Sequence, residues 1–162
     1  SPNLRSNGFS LARRLVFDIA GRGLDDPAWD GAETSLADEL LAPSVIYAPA
    51  VLAVMAEHEV HAVAHITGGG LPGNLRRVLG DVVDAVVDTT AWEAPRIFRE
   101  LQAIGDVSDD EMGRVFNMGM GMVIAVPAAE AHEVVTMLAA HDRPASTIGE
   151  LVDGTGVAHL RR

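Results

Sequence analysis

The chain has 162 residues, a net charge of −11, 48% apolar residues and no cysteine. That is enough apolar chain for a buried core, while the absent cysteine excludes disulfides, thiolate catalysis and cysteine-ligated zinc. All twelve basic residues are arginine, so neither a P-loop lysine nor a lysine Schiff base can come from this chain, and the acidic balance argues against a nucleic-acid partner.

In chain order, Ser6-Asn7-Gly8 reads as a helix-start signal with Ser6 or Asn7 as cap. Ala12, Leu15, Val16 and Ile19 follow at the spacing of one helix face, up to Gly21 and Gly23. Residues 24–34 are acidic and turn-rich and read as an exposed loop. Leu36 to Leu41 reads as a short helix stopped by Pro43, and Ala48, Val51, Leu52 and Met55 mark another that ends near His58. His61 to Ile66 reads as a buried strand broken by Gly68-Gly69-Gly70. Pro72 then sits early in a helix that continues through Asn74, Leu75, Val78 and Leu79. Ala85 to Asp88 is a second strand. Ile97, Leu101 and Ile104 mark a helix after Pro95 that stops at Gly105, and Ser108 with Glu111 offers a capping box for the next. Met120 to Val126 reads as a strand ended by Pro127, followed by a helix over Ala131, Val134, Val135 and Leu138. Ser146 to Val152 and Val157 to Leu160 read as two last strands joined through Asp153-Gly154-Thr155-Gly156 as a hairpin.

This alternation predicts a single α/β domain over residues 1–162, a layered sandwich with a mixed sheet flanked by helices. No stretch approaches the ~18 apolar residues of a membrane helix, and no basic segment followed by an apolar run opens the chain. No membrane partner is expected, and the cytoplasm is the expected location.

The segment from His65 through Thr67, Gly68, Gly69, Gly70, Gly73 and Asn74 to Arg77 is strand, glycine loop, helix. Consecutive glycines let backbone approach a ligand and adopt positive φ, and a helix N-terminus presents unpaired N–H groups with partial positive charge. The loop is therefore either a phosphate-binding element or a plain tight turn; it matches neither Walker A nor GxGxxG. His61 and His65 share a face, but no third ligand has a convincing spacing, so they read as core or supporting histidines and no metal site is expected. Arg13 and Arg14 are either a solvated helix face or partners of a ligand held at the cap. The Met-Gly alternation from Asn117 through Met118, Gly119, Met120 and Gly121 to Met122 suggests a strand packed against close backbone, with Asn117 a candidate αL cap of the preceding helix.

Taken together, these residues resemble a known family. Ser6-Asn7-Gly8-Phe9-Ser10-Leu11-Ala12-Arg13, Leu41-Ala42-Pro43-Ser44-Val45-Ile46-Tyr47, Ala64-His65-Ile66-Thr67-Gly68-Gly69-Gly70-Leu71, Asn74 with Arg77, and Glu111-Met112 through Arg114 and Phe116-Asn117-Met118-Gly119 to Gly121-Met122 are similar in order and spacing to aminoimidazole ribonucleotide synthetase, the phosphoribosylformylglycinamidine cyclo-ligase family. Trp92, Pro95, Phe98 and Gln102 fit the same pattern, so the resemblance covers nearly the whole chain, and it lies with that family's C-terminal domain.

The resemblance implies a two-domain, homodimeric enzyme. Its N-terminal domain, absent from this chain, would carry the acidic and lysine residues that serve ATP and Mg2+. ATP would phosphorylate the formyl oxygen of formylglycinamidine ribonucleotide, and the amidine nitrogen would close the imidazole ring and expel phosphate. Carried over residue by residue, Thr67, Gly68, Gly69, Gly70 and Asn74 correspond to a loop that contacts the phosphorylated substrate, Ser6 and Asn7 to a segment facing the cleft, and Asn117 with Gly119 to a loop-shaping element. No residue of the chain is assigned a catalytic role. Three positions depart from the pattern: Arg5 replaces a common histidine implicated in the active site and puts a permanent cation there, Arg76 replaces proline, and Gly113 replaces tyrosine. The isolated chain is expected to be inactive and to bind no cofactor alone. The alternatives are a sister ATP-using activity on the same architecture (thiamine-monophosphate kinase, selenophosphate synthetase, hydrogenase-maturation or formylglycinamidine ribonucleotide synthetase type) or a non-catalytic module that binds a phosphorylated ligand.

Overall fold

A computed structural model describes residues 1–161. Seven α-helices and five strands follow in the order α1 (Phe9–Arg13), α2 (Leu36–Leu41), α3 (Ala48–Glu57), β1 (Ala62–His65), α4 (Gly70–Leu79), β2 (Val83–Asp88), α5 (Arg96–Gly105), α6 (Asp109–Val115), β3 (Met122–Ala125), α7 (Ala131–Ala140), β4 (Gly149–Asp153) and β5 (Ala158–Arg161). A π-helical stretch, Arg14–Ile19, continues α1 without a break.

The architecture is α/β, with strands in two groups. β1 and β3 form an antiparallel pair in which Ala62 faces Ala125 and His65 faces Met122. The other three form a mixed sheet in the order β4-β2-β5, antiparallel on one side of β2 and parallel on the other. The expected hairpin between the last two strands is therefore wrong. Residues 153–157 do turn, but they carry the chain across the start of β2 instead of pairing its neighbours. The Asp84 carboxylate holds that crossing: it accepts from Thr155 N–H at 2.7 Å, Val157 N–H at 2.8 Å and the His159 ring at 2.8 Å. A side chain on one strand thus takes the place of the ladder bonds a hairpin would have made.

Local chemistry explains the helix starts. Ser35 and Asp38 form a full capping box on α2. At α6 Ser108 accepts from Glu111 N–H at 3.3 Å, but Glu111 turns to Arg114 at 2.7 Å, so the expected box is half made. Neither Ser6 nor Asn7 caps α1; Gly8 does, in the left-handed region at φ 75°. The left-handed residues after α6 are Met118 and Gly119, not Asn117. They delay the start of β3 from the expected Met120 to Met122.

Apolar burial falls into two clusters. One is helical: Leu15 and Val16 of the π-helix, Leu36 and Leu40 of α2, and Ile97, Phe98 and Leu101 of α5 meet Met112 and Phe116. Ala28 and Trp29 also join it, so the expected exposed loop at 24–34 is anchored by a buried tryptophan, with Arg22 over its ring at 5.5 Å. The other cluster joins the sheets through α4: Ala64 and Ile66, Leu71, Leu75 and Leu79, and Ala85 and Val87. Among the described residues no helix is long and apolar enough to cross a membrane.

Candidate functional site

β1 ends at His65, and the chain turns through Thr67-Gly68-Gly69 into α4. The turn is built around Asn74, which is buried one helical turn into α4. Its side-chain amide donates to the carbonyls of Gly70 at 2.7 Å, Thr67 at 3.2 Å and Gly68 at 3.4 Å. Its Oδ1 accepts from Thr67 Oγ1 at 3.1 Å and from the Arg77 guanidinium at 3.0 Å. With three carbonyls drawn inward to one amide, Gly68 and Gly69 keep their N–H groups without an acceptor among the described residues. These donors and the α4 N-terminus leave unpaired N–H groups along one rim of the turn.

Glycine is required here on two counts. Gly69 has φ 99° and Gly70 φ 59°, a region other residues rarely occupy. A Cβ on Gly70 would also overlap the carbonyl of Gly113 in α6. The loop is thus clamped between Asn74 and the backbone of a neighbouring helix.

Of the two residues before α1, Asn7 reaches the loop: a Cβ on Gly68 would lie 3.2 Å from its side-chain amide nitrogen. Ser6 is exposed and makes no side-chain hydrogen bond among the described residues. Asn117 lies against Asn3; it donates to Asn3 O at 2.9 Å and accepts from Gly119 N–H at 2.8 Å. It therefore joins the N-terminal segment to the turn before β3. Arg13 and Arg14 line a shallow cavity of about 230 Å³ with Ser10 and Asp18, apart from the loop residues.

Residue 5 occupies the other edge of this region. The Arg5 guanidinium donates to the carbonyls of Ile66 at 3.3 Å and Gly121 at 3.4 Å and contacts His65 Nε2. It also lies 5.7 Å from the centre of the Tyr47 ring. Burial, and then the Arg5 charge, lower the His65 pKa below its usual value, which favours the neutral ring. His61 lies apart, 3.7 Å from Glu59. Among the described residues no three His, Asp or Glu side chains stand together as metal ligands. Tyr47 carries no sequence signal for chemistry, and no local motif links positions 5, 47 and 65.

The family described as AIR synthase related protein, C-terminal domain, matches residues 1–160. Among curated relatives, the phosphoribosylformylglycinamidine cyclo-ligase of Geotalea daltonii is 43% identical over 151 residues, 93% of this chain and 43% of that protein. The protein of the same name from Geobacter metallireducens is 44% identical over the same coverage. This chain therefore spans less than half the length of those relatives. Among solved structures, E. coli HypE, a hydrogenase maturation protein, superposes with a TM-score of 0.60 at 20% identity, over 96% of this chain and 44% of that one. Thiamine-monophosphate kinase from Stenotrophomonas maltophilia gives the same score and identity, over 96% of this chain and 48% of its own. At that identity these two likenesses speak to the fold alone.

Proposed function

Because the chain belongs to the AIR synthase related family by its C-terminal domain, we propose that it serves as that domain of an ATP-dependent cyclo-ligase converting formylglycinamidine ribonucleotide to aminoimidazole ribonucleotide in purine biosynthesis. The carrying observation is the glycine loop, whose carbonyls are tied back by Asn74 and whose Gly68 and Gly69 N–H groups are left for an anion. A bound phosphate would accept from Gly68 and Gly69 N–H, with Asn7 beside them. The work assigned to this chain is binding and orientation of a phosphorylated substrate, with Thr67 and Asn74 holding the loop and Asn117 and Gly119 shaping the adjoining turn. Ser6 would face the same cleft.

ATP supplies the phosphoryl group in this reading, but the residues here do not fit ATP–Mg2+. There is no lysine, and no cluster of three metal-ligating side chains among the described residues. Those groups belong to a further domain, matching the part of the relatives that this chain does not span, in a cytoplasmic homodimer.

Three assays test the reading. The complete protein should restore growth without purines to a strain lacking the cyclo-ligase; phosphorylation of thiamine monophosphate without rescue would transfer the chain to a sister activity. The 162-residue chain alone should show no ATP-dependent ring closure. In the complete protein, Gly69→Val should weaken substrate binding by about ten-fold or more, the value of a charge-assisted hydrogen bond lost; unchanged affinity would reduce the loop to a turn.

A further inference from the structure

The glycine loop depends on which way the Asn74 amide faces. Its nitrogen points at the carbonyls of Thr67, Gly68 and Gly70; turned over, its oxygen would meet three acceptors and release the loop. Two side chains meet the oxygen end, and they differ in kind. Thr67 Oγ1, at 3.1 Å, is a hydroxyl that can donate or accept, so it tolerates either orientation. The Arg77 guanidinium, at 3.0 Å, only donates and tolerates one.

Arg77 has no competing carboxylate. It forms no ion pair among the described residues, whereas Arg96, Arg99 and Arg114 each pair with a glutamate. Its neighbour Arg76 is equally exposed and shares its place in the last turn of α4, where the helix dipole favours a cation at either position. Only Arg77 reaches back to the loop; Arg76 makes no side-chain hydrogen bond or ion pair among the described residues. A charged donor on Oδ1 also polarises the amide and strengthens the bonds that its nitrogen makes.

We propose that Arg77 is a positioning residue of the substrate site: by donating to Asn74 Oδ1 it fixes the amide that draws three loop carbonyls inward, and so keeps the Gly68 and Gly69 N–H groups turned to the phosphorylated substrate. This role rests on the reading of the glycine loop as the substrate's phosphate site. Arg77 acts through Asn74 and not on the reacting atoms, so its loss is felt in binding and not in the chemical step.

Two measurements test it, each on Arg77→Met, Arg77→Lys and, as the matched loss of a neighbouring charge, Arg76→Met. In the 162-residue chain, NMR follows the exchange of the Asn74 side-chain amide protons with water. Arg77→Met should speed that exchange about ten-fold and shift the Gly68 and Gly69 amide resonances, while Arg77→Lys, which keeps a donor, and Arg76→Met should stay within about two-fold of the parent. In the complete protein, Arg77→Met should raise KM for formylglycinamidine ribonucleotide about ten-fold with kcat within about two-fold, and lysine should recover most of the loss. Exchange unchanged in Arg77→Met, or raised equally in Arg76→Met, would overturn the role of Arg77 whatever the loop binds. Exchange raised with KM unchanged would instead overturn the loop as the substrate site. A fall in kcat at constant KM would place Arg77 in the chemical step and overturn positioning.

Discussion

The helical half and the sheet half of this molecule bury their apolar residues to very different degrees. Around Phe98 and Phe116, whose rings meet at 5.7 Å, almost every member of the cluster is closed to solvent. The sheets are covered mainly on the side that meets α4. β4 is exposed along its whole length, β3 is half-buried throughout, and Leu151, Val152 and Leu160 are open to solvent. The helical half is a closed packing unit. The sheet half presents backbone and charged side chains, and both the glycine loop and the Arg5 grouping lie there. Tight packing supports the site without taking part in it.

The largest way to probe this contrast is Phe98→Ala. Removing a fully buried aromatic ring should cost about 3–5 kcal/mol in urea unfolding, and a loss below ~1 kcal/mol would show that the helical cluster is less closed than its burial implies. In the sheet half the sensitive residue is polar. Asn74→Ala leaves the loop carbonyls without their shared donor and should cost about 2–3 kcal/mol, with loss of phosphate affinity in the complete protein; stability lost with affinity intact would separate the loop's two roles. Removing the helix cap in Ser108→Ala should cost about 1 kcal/mol. Leu151→Thr on exposed β4 should stay within about 0.5 kcal/mol.

A pH titration probes the sheet half alone. The N–H groups of Val157 and Thr155, then the His159 ring, lower the Asp84 pKa from 3.8 to about 2. A depressed folded-state pKa means stability present above the unfolded value and lost as pH falls through the folded one. Unfolding midpoints should therefore drop between about pH 4 and pH 2 in the parent chain. Asp84→Asn should lower the midpoint at neutral pH and flatten that acid slope; an unchanged slope would remove Asp84 from the account.

Much of the fold was readable from periodicity. Leu36 to Leu41 before Pro43 and α5 after Pro95 carry their signals within a few residues; the helix at α3 was legible too, but its expected face of Ala48, Val51, Leu52 and Met55 was wrong, since α3 buries Ala50, Val51 and Val54 and leaves Leu52 and Met55 exposed. The errors arose where a distant side chain overrode a local signal. Asp153-Gly154-Thr155-Gly156 has hairpin composition, but the Asp84 carboxylate, about 70 residues earlier, sets its path. Trp29 sits in an acidic loop whose composition says exposed, yet it fills a gap in the helical cluster. Of the site, the glycine loop and Asn74 form one contiguous segment and could be seen. The grouping of Arg5, Tyr47, His65 and Met122 comes from four separate parts of the chain, and only packing unites it.

The crossing at Asp84 also has a consequence for the order of events during synthesis. β2 leaves the ribosome more than sixty residues before either of its neighbours, since β4 begins at Gly149 and β5 at Ala158. The helical cluster is complete by Phe116, so it can form while β2 still has two open edges. Long-range pairings of this kind close slowly, and an unpaired apolar strand invites pairing with other chains. Asp81 before β2, Asp84 within it and Asp88 at its end place negative charge along that waiting segment, a composition that disfavours foreign pairing, and Asp84 then anchors the chain's own last turn.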